Sequence, residues 1–496
     1  MSQTVRAAGH GVTGHGGAGE TAGEPVPRPR RITLRFPWRG PAPDELVDPE
    51  GARALQVATA RYVGGIFAAA ILLQRFAVPG VPAASALVPL VVLWGIWGLL
   101  RGIVEVDRSR LMLWLAAAGA SALVVPFQLR LVHDPLVSPT AYALLFVVWL
   151  PAILRMKDRR RSTFVLALRY IAYGAAGLAT GCVIMMATML AGIPYTDLMA
   201  QAFPPKLLLT GFVITYPISF GSNLYRANAW IGLEPSIVSI MMGVGLVSAL
   251  LSGVKIRILA LIVAGLVCAT AGSGLAIILV AFAVMFGYPV RNNLVRYVPI
   301  AAIVAVVVVA TPFGASILGR VTEAGDQQSS TSLRGILPYS YMWPQWIKDP
   351  MAVLFGRGPG SSQEIVSHSG IMGLLVPTPI KIFFEYGLIA GLLIAMTILF
   401  AYVGGPSRSL PVSLLVSLWL LQPGTTTMVV VLPVFLTSTW WAPRFEPVLE
   451  SDTSTYATAR GWFQRAGRYR PFQGVSSWRL GGRRGVASSA KSGPVP

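Results

Sequence analysis

The sequence predicts an all-α polytopic membrane protein of about twelve transmembrane helices, and three observations carry that prediction. The 496 residues are 54% hydrophobic and 12% charged, with a mean hydropathy of +0.63, outside the range of soluble globular domains. Apolar runs recur from about residue 62 to residue 441. The basic residues fall in clusters between those runs instead of along one face.

In chain order, residues 1–56 are rich in Gly, Pro, Ala and Arg with no apolar period, and read as a disordered tail with no cleavable signal peptide. Residues 57–443 form the membrane domain. Its candidate spans are 57–78, 83–100, 111–127, 138–154, 170–193, 236–253, 257–271, 275–290, 297–317, 380–403, 409–422 and 427–443. The net charge of +20 invites a nucleic-acid reading, but its distribution argues otherwise. The clusters at Arg101/Arg108/Arg110, Arg155–Arg161, Lys255/Arg257, Arg291/Arg296 and Arg408 all fall on one side of the twelve-span count. That is the positive-inside pattern, with both tails cytoplasmic and the inner-leaflet lipids as neighbours. Residues 444–496 form a basic tail interleaved with aromatics, suited to the membrane surface or to disorder. Cys182 and Cys268 fall in spans and form neither a disulfide framework nor a zinc spacing.

On the opposite face one polar island, Arg320–Thr378, with the loop bounded at 318–379, interrupts the apolar sequence. Its aromatics and prolines (Tyr339, Trp343, Trp346, Pro338, Pro344) predict short proline-broken helices. The run Phe355-Gly356-Arg357-Gly358-Pro359-Gly360-Ser361-Ser362 predicts a tight turn where backbone approaches something closely. The apolar piece Leu207–Phe220 is too short and proline-broken to span.

The residues able to carry chemistry are few. Arg226, Arg334, Arg357 and Lys381 supply cations on one face, and a guanidinium fork suits phosphate. They equally suit ion pairs with Glu323, Asp326, Asp349 and Glu364. Glu234 precedes Pro235 at a helix mouth, where a carboxylate is favourable in any case. His368 suits a general base, as it suits a plain loop. Lys381 and Glu385 are spaced i,i+4 and can pair on one helix face. Arg75 at the end of the first span suits snorkelling.

The order of these elements resembles the O-antigen ligase and polymerase superfamily. It runs from Arg226 with Glu234-Pro235-Ser236, through a Ser273-centred turn, to a long loop with an early arginine (Arg334). A Gly-x-Gly-Pro-Gly turn and a Glu-Tyr-Gly-Leu-Ile-Ala-Gly helix (residues 385–391) follow. The resemblance covers about Val57–Trp441, with its specific part at Arg226–Gly391. It implies a glycosyltransferase of the bacterial cytoplasmic membrane with an outward-facing site and no metal or cofactor. The partners implied are a polyprenyl-pyrophosphate-linked (undecaprenyl-type) oligosaccharide, an acceptor glycan and other polysaccharide-assembly proteins, with no nucleic acid. Arg226 and Arg334 match family arginines that hold the pyrophosphate. Two departures stand out: Gly274 stands where ligases carry arginine after the serine, so one expected pyrophosphate cation is missing, and Val376-Pro377 stands where they carry His-Asn, which leaves the base open among His368, Glu234 and Glu385. The Glu-Pro-Ser element leans toward a polymerase. The competing classes are a lipid-linked glycan flippase or transporter, a transferase using polyprenyl-monophosphate sugars, and a non-catalytic scaffold. The nearly charge-free span interiors argue against the transporter. The absence of an acid in the first outer loop, about 79–82, argues against the monophosphate enzyme.

Overall fold

A computed structural model describes residues 49–79, 81–218, 223–290, 332–371, 374–420, 426–439 and 449–451. The described chain is predominantly helical, with two short two-stranded sheets. Five helices are long and apolar enough to cross a membrane: α1 (Pro49–Leu73), α3 (Arg108–Leu131), α5 (Arg161–Leu190), α7 (Pro235–Ser252) and α13 (Thr378–Phe400). Six shorter apolar helices coincide with other sequence-predicted spans, among them α2 (Leu87–Leu100), α4 (Pro139–Trp149), α8 (Ile256–Ala269) and α9 (Gly272–Phe286). The remaining two begin with α14 (Ser409–Leu414) and α15 (Met428–Val434) and run on into wider π-type turns. The candidate at 297–317, the cluster Arg291/Arg296, most of both tails and loop residues 318–331 lie outside the described residues.

Two starts differ most from the sequence reading. Helix α1 begins at Pro49 instead of 57. Helix α5 begins at Arg161 instead of 170, because Arg169 does not end it: its Nε donates to the Ser252 carbonyl (3.2 Å) of the neighbouring α7.

The core is assembled chiefly by α7, buried nearly all round, with α5, α8 and α9 packed against it. Small residues let the backbones meet. Gly245 faces Ala175, Gly265 faces Ala179, and Gly243 faces Gly274, each too close for an added methyl. Such small-residue seams are how helices approach where the solvent is as apolar as the side chains.

Hydrogen bonds tie the Arg155–Arg161 cluster to the chain around it at one end of the bundle. The strands β3 (Val104–Val106) and β4 (Leu154–Met156) pair antiparallel there, with Glu105 opposite Arg155. Arg155 bonds Glu105 (2.7 Å) and Asp107 (3.0 Å), and Arg159 bonds Glu105 (2.9 Å). Partial burial would raise the Glu105 carboxyl, but the hydrogen bonds and charges of Arg155 and Arg159 outweigh it and hold it below the ordinary range. Arg160 reaches Ala52 O, and Arg161 reaches Leu449 O. At the same end the buried Glu450 caps α14 from a distant point in sequence. Its Oε1 accepts from the hydroxyls of Ser407 (2.6 Å) and Ser409 (2.6 Å) and from the amides of Arg408 (3.0 Å) and Ser409 (2.9 Å).

At the other end Arg75 does not snorkel. It is 3% exposed and bonds both Asp197 oxygens, at 2.5 and 2.7 Å. Burial would raise the Asp197 carboxyl, and the Arg75 fork and the Ala200 amide hold it low instead. Residues 208–218 form no helix. They run as irregular chain bridged to Phe76 through Leu208, as expected of a piece that does not span.

Candidate functional site

The described part of the island, residues 332–371 and 374–378, folds as short helices cut by proline, as its composition predicts. They are a wide turn (Ser332–Ile336), α10 (Leu337–Ile347), α11 (Pro350–Phe355) and α12 (Ser361–His368). Asp349 caps α11 by accepting from Met351 N (3.0 Å) and Ala352 N (3.2 Å), with Pro350 at the first turn where its missing N–H costs nothing. A local core of Val132, Met342, Trp346, Ala352, Ile380 and Phe384 seats these helices against α13 and the end of α3.

The glycine turn approaches a break in α13. Gly387, at φ +63°, interrupts the helix, so the carbonyls just before it lose their intrahelical partners. The turn replaces them: Arg357 N donates to Phe384 O (2.9 Å) and Gly358 N to Glu385 O (2.9 Å). Gln128 of α3 adds a third bond, from Nε2 to Glu385 O (3.0 Å). On its other side the turn is tied to residues 136–138 through Leu136 N to Arg357 O (3.0 Å) and Ser138 N to Pro359 O (2.8 Å). A Cβ on Gly387 would stand 2.5 Å from Gly356 N, and one on Gly356 would stand 2.5 Å from Gly387 N. Backbone meets backbone here, and only glycine permits it.

This seam fixes the side chain of Glu385, 1% exposed, in the first half of α13. Lys381 Nζ lies 3.0 Å from Glu385 Oε1, the i,i+4 pair that the spacing predicts. The hydroxyl of Ser362, on the first turn of α12, donates to the same oxygen and accepts from Lys381 Nζ (3.2 Å). A cavity of about 60 Å³ opens beside them, lined also by Tyr386, Ile382, Leu144, Leu145, Ala141 and Thr426.

A second group stands on other elements. Arg226 lies in an irregular segment whose next residue donates to the end of α8 (Ala227 N to Cys268 O, 3.0 Å). Its guanidinium sits 5.6 Å from the Tyr216 ring centroid, and its Nε is buried without a hydrogen-bond partner among the described residues. Ala229 and Trp230 both take left-handed backbone conformations (φ +57° and +58°), uncommon for residues with a Cβ. Buried Asn228 holds that kink, accepting from Trp230 N (3.0 Å) and donating to Ile214 O (3.0 Å). Glu234 occupies the N-cap position of α7, and its carboxylate accepts from the Ser236 hydroxyl (2.9 Å). Ser273 is buried in the first turn of α9, where Gly274 N donates to Ser239 of α7 (2.9 Å).

The other sequence-predicted residues stand apart. Arg357 donates to Gln345 O (3.3 Å) and lies 5.6 Å from the Phe384 ring centroid, taking a carbonyl instead of an island acid. His368 is exposed at the far end of α12, with Nδ1 2.9 Å from the Glu364 carbonyl of its own helix. The six-residue separation puts it about 9 Å along the axis from Ser362. Arg334 lies in the turn before α10, and its side chain is outside the described residues, as are Glu323 and Asp326. Sequence reasoning missed Ser362, Gln128 and Tyr386. Tyr386 adjoins Glu385, and Ser362 ends the glycine run, which are the only signals either carried.

No family model and no curated protein matches this chain.

Proposed function

We propose that the chain is a membrane-embedded glycosyltransferase that joins polyprenyl-pyrophosphate-linked glycan units to an acceptor hydroxyl, as a polymerase or ligase, on the outer face of a bacterial cytoplasmic membrane. One observation carries the reading: Glu385, buried at a break in an apolar helix and held through one oxygen by Lys381 and Ser362, beside a cavity. Ionisable groups kept in apolar helices are costly and mark function. In this reading Glu385 takes the proton of the attacking hydroxyl. Arg226, with its unpartnered Nε, and Arg334 receive charge as the pyrophosphate leaves. His368 and Glu234 are not needed as bases.

Twelve crossings with cytoplasmic tails complete the reading. The hydrogen bonds that gather Arg155, Arg159, Arg160 and Arg161 at one end support it through the positive-inside rule. Single cysteines at Lys157 and Lys206 should react with a membrane-impermeant thiol reagent from opposite sides.

The test is glycan chain growth in cells lacking the native copy. Glu385→Gln, Arg226→Ala and Arg334→Ala at matched membrane levels should each cut it by about 10²-fold or more. Normal polymer length in all three sinks the reading. The same helix break also favours a second one, a lipid-linked glycan transporter, because broken helices with buried ionisable groups line transport paths. Sealed vesicles separate the two: a transporter moves the lipid-linked glycan without forming a glycosidic bond.

A further inference from the structure

We infer that the cavity beside Glu385 is a subsite for an uncharged carbohydrate hydroxyl, not for the phosphate of a donor. Three observations lead there. First, among the described residues the charges on its wall cancel, since Lys381 Nζ and Glu385 Oε1 are 3.0 Å apart. An entering anion would meet no unpaired cation and would face a carboxylate.

Second, the polar atoms left over match a hydroxyl. Both bonds to the Glu385 carboxylate fall on Oε1, leaving Oε2 to accept. Tyr386, 2% exposed, lines the same cavity with its hydroxyl buried and without a hydrogen-bond partner among the described residues. A tyrosine O–H donates and a carboxylate oxygen accepts, and a sugar hydroxyl is both acceptor and donor. A phosphate oxygen offers only acceptance and would leave Oε2 unanswered. A buried polar group without a partner costs about 1–3 kcal/mol, and a bound hydroxyl that accepts from Tyr386 would remove that cost.

Third, apart from Thr426 the remaining described walls are apolar (Ala141, Leu144, Leu145 and Ile382), and the space is about 60 Å³. Naming this hydroxyl as that of the acceptor rests on the glycosyltransferase reading; the neutral, hydroxyl-matched character of the subsite does not.

The experiment probes the cavity directly in the purified full-length protein. Thr426→Cys on the cavity wall is treated with methyl methanethiosulfonate, which is neutral, and with its sulfonatoethyl counterpart, which is anionic, after subtracting wild-type reactivity. If this variant fails to fold, Ala141→Cys probes the same wall. Relative to a free thiol, the anionic reagent should react about tenfold more slowly than the neutral one. Glu385→Gln should remove most of that difference by leaving Lys381 unpaired. A mixture of glucose, galactose, mannose and N-acetylglucosamine should protect the cysteine, and Tyr386→Phe should abolish the protection. Equal or faster anionic modification with Glu385 intact overturns the inference, as does a cysteine inert to both reagents. Saccharides that give no protection leave a water-filled cavity and also overturn it. Protection without glycan transfer in vesicles would retain the subsite and discard the glycosyltransferase reading; transfer with no protection would do the reverse.

Discussion

At the end that carries strands β3 and β4, arginines are numerous and their partners ordinary. Arg155, Arg159 and Arg160 each meet a carboxylate, and the Arg155 and Glu105 side chains keep 25% and 33% of their exposure. At the end that carries the glycine turn, several ionisable groups have more demanding surroundings. Lys381 and Ser362 share one Glu385 oxygen at a helix break, and among the described residues Arg226 and Arg357 each have a buried Nε without a hydrogen-bond partner. The first arrangement is what solvent makes inexpensive. The second persists against a cost, as does the buried Glu450 carboxylate at the basic end.

The comparison can be broken by four measurements, beginning with the largest effect. Gly387→Ala puts a methyl at φ +63° and 2.5 Å from Gly356 N. It should cost about 4 kcal/mol or abolish folded protein altogether, read as membrane yield and as melting in detergent. Next, Lys381→Met strands the Glu385 carboxylate and should destabilise by about 3 kcal/mol, while the double variant with Glu385→Gln recovers most of it. A double variant no better than the single would show that the pair is not the unit.

The third effect is pH-dependent. Asp197 is held below its ordinary 3.8 by Arg75 against the opposing pull of burial. Its contribution is therefore fully present above pH 3.8 and is lost as the pH falls through the lower, folded-state value. Asp197→Asn should remove about 2 kcal/mol at neutral pH and flatten the acid limb of the melting curve. The smallest effect belongs to the basic end. Arg155→Gln should cost under about 1 kcal/mol, and less in high salt. A loss there as large as that of Lys381→Met would erase the distinction between the two ends.

Much of this was legible in the sequence, because apolar length, proline punctuation and i,i+4 spacing are local signals. The five long helices, the broken island and the Lys381–Glu385 pair follow from them. What was not legible depends on partners distant in the chain. Arg75 suits snorkelling until Asp197, 122 residues on, comes to meet it. Gly387 suits an ordinary glycine inside an apolar helix until the 356–358 turn takes the carbonyls that its break frees. The site residues divide the same way. Glu385 could be named from its type and spacing, whereas its partners Ser362 and Gln128 belong to elements that only the folded chain brings together.

The seam between Gly356 and Gly387 is written in main-chain atoms, which every amino acid supplies alike. Side chains on either side can drift without altering it, while one added carbon at either glycine closes it. Descent within this lineage should therefore leave a fixed interval, glycines at 356, 358 and 360 and again at 387, in chains whose apolar residues have otherwise been shuffled past alignment. Kinship for such a protein is better sought in the spacing of what it lacks, a Cβ, than in the side chains it carries.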